Sequence, residues 1–501
     1  MCTTRCISPP PRLTPWVFPS PGVPGLPHFG HNRQMAWAIT HTGADTQDLY
    51  VESPARVRDA RVESIAVRGA AGVSAVCERT SLGPVVARLD GDAVLVLRAT
   101  ALDAVSAQYR CLWDMLHADS VSALVAAQRD WVDPVNNLLA ADTAGHIGYL
   151  MRSRVPLRPV ANLFGLVPGD APNHHWSGFI PFEEQPSMVD PEGDLLVTAN
   201  NRVVGPAFPY PIAPVFAAEH RARRIWLLLR QHLGEWTADS LAAVHQDVES
   251  PCGHLCALEP ESGSRHPPRG GRAAAARRMG RIAGRSGCRR WCTTPGVSGW
   301  RKGCWPMRSS TIWPAKRPPG RTRGRLPRSP ACGPGWWICC RPCRMRQQPR
   351  RFMGRWLSWG RWGPDPSRWR WGAEHRVRAE HPLAAEAPDA WPTLDVDLPG
   401  DGDTVRAASY GSGSFRVTGV AVARYVFDVG AWDQLLWAVP GGTAEQGPAA
   451  LNQLDAWAAG KLLPMWYSEE ALRPHVISHT HLVWPGGDGS APGQSPPLGA
   501  N

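Results

Sequence analysis

Asp45 and Asp48 stand three residues apart beside the turn Thr42–Gly43–Ala44. Two carboxylates at that spacing can gather oxygen ligands around a hard cation such as calcium, and two solvated loop acids would read the same way. Asn200 and Asn201 follow an apolar, strand-like run, Leu195–Leu196–Val197. An asparagine amide held rigidly there can donate to a developing oxyanion, while a turn-capping asparagine has the same local signature. Arg221 opens an amphipathic run and is, by itself, a surface charge. Cys340 and Cys343 form a lone CxxC, with no second pair at zinc spacing. The common catalytic strings, G-x-S-x-G, the P-loop, H-E-x-x-H and G-x-G-x-x-G, do not occur.

The elements that must position these residues are legible in part. Pro84–Leu89 and Ala93–Leu97 flank Asp90–Gly91–Asp92, a hairpin pattern, and Leu138–Ala141 with Ile147–Leu150 bracket Ala144–Gly145 in the same way. Helical spacing predicts helices over Leu102–His117, Val121–Trp131 and Arg221–Leu233, with Thr237 as the N-cap of another running through Val248. Alternation predicts strands at Phe415–Thr418 and Val420–Val426. The opening 20 residues hold five prolines and no apolar stretch, so they do not read as an export signal. No run of 18 apolar residues exists, which excludes a membrane-spanning helix.

The net charge of +11 hides a division. Residues 261–370 carry 25 Arg and 2 Lys against Glu261 and Asp365, leaving the other 391 residues at −14. Ten of the 24 Trp and seven of the 13 Cys lie in the same segment, and apolar periodicity stops there. An Arg-rich stretch with interleaved aromatics could bind nucleic acid. A GC-rich gene read out of frame yields the same mixture of Arg, Pro, Gly, Ala, Trp and Cys, and this is the preferred reading. The chain therefore divides into a leader (1–20, disordered), a first globular block (21–260), the basic segment (261–368, disordered), a second block (369–484) and a flexible tail (485–501). Specific nucleic-acid and membrane partners are not expected.

Several uncommon strings follow one another in a recognisable order. They include Gly30–His–Asn–Arg–Gln–Met–Ala–Trp37, Thr40–His–Thr–Gly–Ala–Asp45, Gly178–Phe–Ile–Pro–Phe–Glu183 and Thr198–Ala–Asn–Asn–Arg202. The second block adds Trp371–Gly372, His381–Pro–Leu383, Gly400–Asp–Gly–Asp–Thr–Val405, Pro440–Gly–Gly442, Asn452–Gln–Leu–Asp–Ala–Trp457 and Leu463–Pro–Met465. Together they resemble the penicillin acylase family of N-terminal-nucleophile amidases, over about Pro24–Leu258 and Trp369–Leu472.

The resemblance implies an α+β fold, an incomplete four-layer αββα sandwich, and an amidohydrolase acting on a penicillin-like or N-acyl homoserine lactone-like acyl amide. It implies that Asn200 and the backbone N–H of His41 donate to the oxyanion, and that Arg221 orients Asn200. It also implies that Asp45 and Asp48 hold one structural calcium ion, although Pro214 stands where a further carboxylate is expected and cannot supply one. No organic cofactor is implied. The family's nucleophile opens a large subunit after a small subunit and an export signal. Here Ser8 and Ser20 lie in the proline-rich leader, without the family's sequence after the nucleophile, and neither is assigned to catalysis. The expectation is an inactive chain, or one completed by a separate small subunit or nucleophile-bearing polypeptide. The family is usually periplasmic or secreted, which leaves localisation open.

Overall fold

The computed structural model describes residues 4–5, 16–18, 28–103, 108–250, 370–381, 383–384, 391–411, 414–444 and 446–476. The leader serines, the CxxC pair, the basic segment 261–368 and the tail 485–501 lie outside the described residues.

A seven-stranded antiparallel sheet forms the centre. Its spatial order is Thr4–Arg5, Trp16–Phe18, Phe29–His31, Met35–His41, Asn136–Asp142, Ile147–Arg152 and Ser187–Val189. The strands Met35–His41 and Asn136–Asp142 pair along their full length, from Met35 opposite Asp142 to His41 opposite Asn136. Alternation then sends side chains to two separate cores. Met35, Trp37, Leu138 and Ala140 face one, where they pack with Cys111, Leu112 and Met115 of the helix Gln108–His117 and Val121 and Leu124 of the helix Val121–Ala126. Leu435, Trp437, Val439 and Met465 from the second block complete that core. Tyr149 and Met151 face the other core, with Val155, Ile180, Val203, Val204 and Ile212.

Next to this sheet, Gln47–Glu52 runs in a four-stranded sheet with Val167–Pro168 and the hairpin Val85–Leu89/Ala93–Ala99. Both predicted hairpins form. Gly91 and Asp92 take positive φ, 78° and 60°, as a tight turn between twisted strands requires. Thr237 caps the next helix in a reciprocal capping box with Ser240.

Other boundaries move. The helix that opens at Thr237 ends at Val244, before Val248, and Val121–Ala126 stops five residues short of Trp131. Thr100–Asp103 and Gln108–His117 form helices, and residues 104–107 between them lie outside the described residues. The alternation from Phe415 to Val426 is split between two sheets: Val417–Val420 pairs with Ala408–Tyr410, and Arg424–Val426 pairs with Leu435–Ala438. Leu195–Val197, expected as a strand, joins no ladder. Helices and antiparallel sheets thus share the cores, giving the expected α+β class. No helix among the described residues is long and apolar enough to cross a membrane.

Candidate active site

His41 ends the central strand, and the chain then turns through Thr42–Thr46 into the neighbouring sheet. Across from this end, Asn200 takes a left-handed backbone, φ 65°, a conformation asparagine tolerates better than most residues. Its carbonyl accepts a hydrogen bond from Ala217 N–H at 3.0 Å. The next residue closes the turn from the other side, with Asn201 Oδ1 accepting from Ala199 N–H at 3.0 Å.

The Asn200 side chain is held at both ends. Its Nδ2 donates to the His41 carbonyl at 2.8 Å, and its Oδ1 accepts from Arg221 Nη2 at 3.0 Å. Arg221 is the second residue of the helix His220–Gln231, so a rigid element carries the guanidinium. The guanidinium has only donors, so it fixes which end of the amide is oxygen. One Nδ2–H is used on His41, and the other meets no acceptor among the described residues. The three residues expected to act together, His41, Asn200 and Arg221, are therefore brought together. The contact seen at His41 uses its carbonyl, on the same peptide strand end whose N–H was expected to serve as donor.

A polar row beneath fixes this end of the strand. Thr40 Oγ1 donates to Thr198 Oγ1 at 3.0 Å and accepts from Asn137 Nδ2 at 3.0 Å, and Tyr149 OH donates to Asn137 Oδ1 at 2.8 Å. Tyr149 is buried, and burial pushes its hydroxyl pKa up, so it stays a neutral donor. These residues were not singled out in the sequence, where a threonine and an asparagine 97 positions apart carry no shared signal.

On the opposite face, Arg152 is fully buried. It stacks 3.7 Å over Trp131 and donates to Gln128 Oε1 at 3.2 Å and Asn136 Oδ1 at 3.1 Å. Burial lowers its pKa to about 9. Because Asn136 lies opposite both His41 and Arg152, this cation is two strands from the strand end that carries His41.

Asp45 and Asp48 do not surround open space. The Arg158 guanidinium lies between them, with Nη2 2.9 Å from Asp45 Oδ1 and Nη1 2.5 Å from Asp48 Oδ1. It also donates to two main-chain carbonyls, Gln47 at 2.9 Å and Asp45 at 2.8 Å. The residues fit calcium poorly, because the four oxygens an ion would bind already face a buried cation. The segment near Pro214 does pass close by, with Asp45 N–H donating to Ile212 O at 2.8 Å. It brings a carbonyl to the loop and no carboxylate. Among the described residues, no group of three or more His, Cys, Asp or Glu is placed to hold a metal. Sequence reading missed Arg158 because 110 positions separate it from Asp48.

Comparison with known proteins gives this geometry a context. The penicillin amidase family model matches residues 18–274 and 351–474. The chain is 33% identical over 516 residues to the penicillin acylase 2 proenzyme of Pseudomonas sp. (strain SE83), covering 92% of this chain and 62% of that protein. It is 26% identical over 230 residues to the acyl-homoserine lactone acylase QuiP of Pseudomonas aeruginosa, covering 41% of this chain and 27% of the relative. The chain thus spans less than the full length of either relative. Its fold superposes on a thermostable penicillin G acylase from Alcaligenes faecalis with a TM-score of 0.58 at 16% identity, covering 96% of this chain and 93% of that one. With the larger part of its length matched by the family model, the chain belongs to the penicillin amidase family.

Proposed function

We propose that this chain supplies the oxyanion-binding part of an amidohydrolase that cleaves linear acyl amides, of the penicillin-like or N-acyl homoserine lactone-like class. The observation that carries the reading is the Asn200 amide, fixed by Arg221 at Oδ1 and by the His41 carbonyl at Nδ2. A nucleophilic hydroxyl adds to the amide carbonyl, and the oxygen that becomes negative accepts the free Nδ2–H of Asn200 and the backbone N–H of His41. Donors fixed in advance need no reorganisation as the charge forms. Collapse expels the amine with a proton, and water releases the acyl group from the hydroxyl oxygen.

Asn200 and Arg221 can stabilise charge but cannot supply the covalent step. In this reading the nucleophile and its base are supplied by a separate serine-led segment. This part of the reading is tested by assaying amine release from phenylacetyl and acyl-homoserine lactone amides. The full chain is tested alone and co-expressed with the serine-led segment of a family member. Turnover should need both chains, and Asn200→Ala should lower kcat roughly 100-fold to 1000-fold. An unchanged rate in Asn200→Ala would sink the oxyanion assignment. Turnover by the single chain would instead sink the claim that the nucleophile comes from elsewhere.

The same reading treats residues 261–368 as translated from a shifted frame. Family-like sequence in another frame between codons 260 and 368 of the locus supports it, whereas codon bias following this frame throughout refutes it.

A further inference from the structure

We propose that Arg158 is a built-in counterion that takes the place of a calcium ion in this chain and makes the loop behind His41 independent of metal. The inference stands on four contacts and does not depend on the proposed reaction. One guanidinium meets two carboxylate oxygens, of Asp45 and Asp48, and two main-chain carbonyls, of Asp45 and Gln47. Those are the kinds of ligand a hard cation collects: acidic oxygens and peptide oxygens from one short loop. A planar fork of donors engages such a set at fixed angles, where a lysine would offer only a point charge.

The site is built and closed. The Arg158 side chain is 1% exposed and that of Asp48 is 0% exposed. The second Asp48 oxygen, Oδ2, accepts from Trp176 Nε1 at 2.5 Å and from Asn162 Nδ2 at 3.2 Å. Asn162 is itself locked to His174, and Tyr50 OH donates to the same His174 carbonyl at 3.0 Å. The arginine's approach is fixed by the extended segment before it, where Leu157 N–H donates to Gly178 O at 2.8 Å and Ile180 N–H donates to Val155 O at 2.9 Å. Arg98, directly opposite Asp48 in the strand register, lies 4.4 Å over the Trp176 ring. Two acids thus sit among two arginines. The local charge is already balanced, and an added divalent ion would meet a cation already in its place.

The position matters to the rest of the molecule. Thr42–Thr46 is the crossing between the two sheets, so the guanidinium ties the chain leaving His41 to the start of the next strand.

The test compares thermal unfolding of the full chain in excess EGTA and in millimolar calcium chloride, with flow dialysis of radioactive calcium against the same protein. The parent should show the same midpoint in both solutions and no stoichiometric binding. Arg158→Ala leaves two buried carboxylates facing each other and should lose roughly 5–10 °C in EGTA. Calcium should restore most of that loss in the variant alone, since no guanidinium then faces the four oxygens. A parent midpoint that rises with calcium, or one ion bound per parent chain, overturns the proposal. So does an alanine variant as stable as the parent, or one that falls and gains nothing from calcium. Should Arg158→Ala fail to fold, Arg158→Lys and parental dialysis still decide. The lysine variant should unfold at an intermediate temperature with no calcium response, and a calcium response there refutes the assignment.

Discussion

Asp142 offers a sharp test of how the central sheet is held. The residue is 4% exposed, and its carboxylate accepts three main-chain N–H groups. Oδ2 takes Val121 N–H at 3.0 Å, while Oδ1 takes Ala144 N–H at 3.1 Å and His146 N–H at 3.0 Å. One side chain therefore closes the turn of the central hairpin and also satisfies the first amide of the helix Val121–Ala126. Asp142→Ala leaves all three donors without this acceptor, one on the buried Val121 and two on the exposed turn residues Ala144 and His146. At about 1 kcal/mol per hydrogen bond, with the helix N-terminus favouring a negative charge, the loss should be about 3–4 kcal/mol. Asp142→Asn keeps one carbonyl oxygen for the turn but turns an NH2 toward Val121, so it should lose about 1–2 kcal/mol. Urea unfolding followed by tryptophan fluorescence reads both, with the slope of the transition checked for constancy. If Asp142→Ala lies within 1 kcal/mol of the parent, or if the two variants are equally destabilised, the three-bond argument is wrong.

Further outcomes follow from other buried groups. His28, His31 and His245 are each lowered to about 4, mainly by burial. They stay neutral in the fold while the unfolded chain protonates near pH 6.5, so stability should fall as pH drops from 6.5 toward 4, by about 1.4 kcal/mol per unit for each. His31→Phe keeps the stack on Trp432, 4.5 Å away, and should flatten that pH slope; an unchanged slope would remove His31 from the account. Gly400 has φ 85° and a Cβ there would lie 2.2 Å from the Arg406 carbonyl oxygen. Gly400→Ala should therefore cost about 3 kcal/mol or more, against about 1 kcal/mol for Gly447→Ala, where φ is 73° and nothing lies within 4 Å. Equal losses in urea unfolding would show that the close carbonyl does not matter.

Features set by neighbours in sequence could be read before the fold was known. Asp90–Gly91–Asp92 needs positive φ, Thr237 finds its own capping partner three residues on, and both signals are local. The ends of Val121–Ala126 and the split of Phe415–Val426 between two sheets depend on packing partners that local periodicity does not contain. The site divides the same way. His41 and Asn200 are 159 positions apart, and only the order of strings shared with a family linked them. Asp45 and Asp48 were legible as a pair of acids, but their counterion was not, because Arg158 arrives from a segment with no motif of its own. The spacing suggested a hard cation such as calcium, whereas the group that lies between the two acids is the Arg158 guanidinium.

The core that joins the two blocks also bears on how the chain can be cut. Leu435, Trp437 and Met465 pack into the same interior as Phe29 and Trp37, and Trp432 Nε1 donates to the Arg33 carbonyl across 399 positions. Contacts so distant along the chain form late and slowly during folding, since a very long loop must close first. Once formed, they no longer require the peptide between them. A protease cut or a genetic break between residues 250 and 370 would therefore yield two polypeptides that remain associated, held by a shared hydrophobic interior. Such a nicked protein would migrate as two bands under denaturing conditions and as one particle in native buffer.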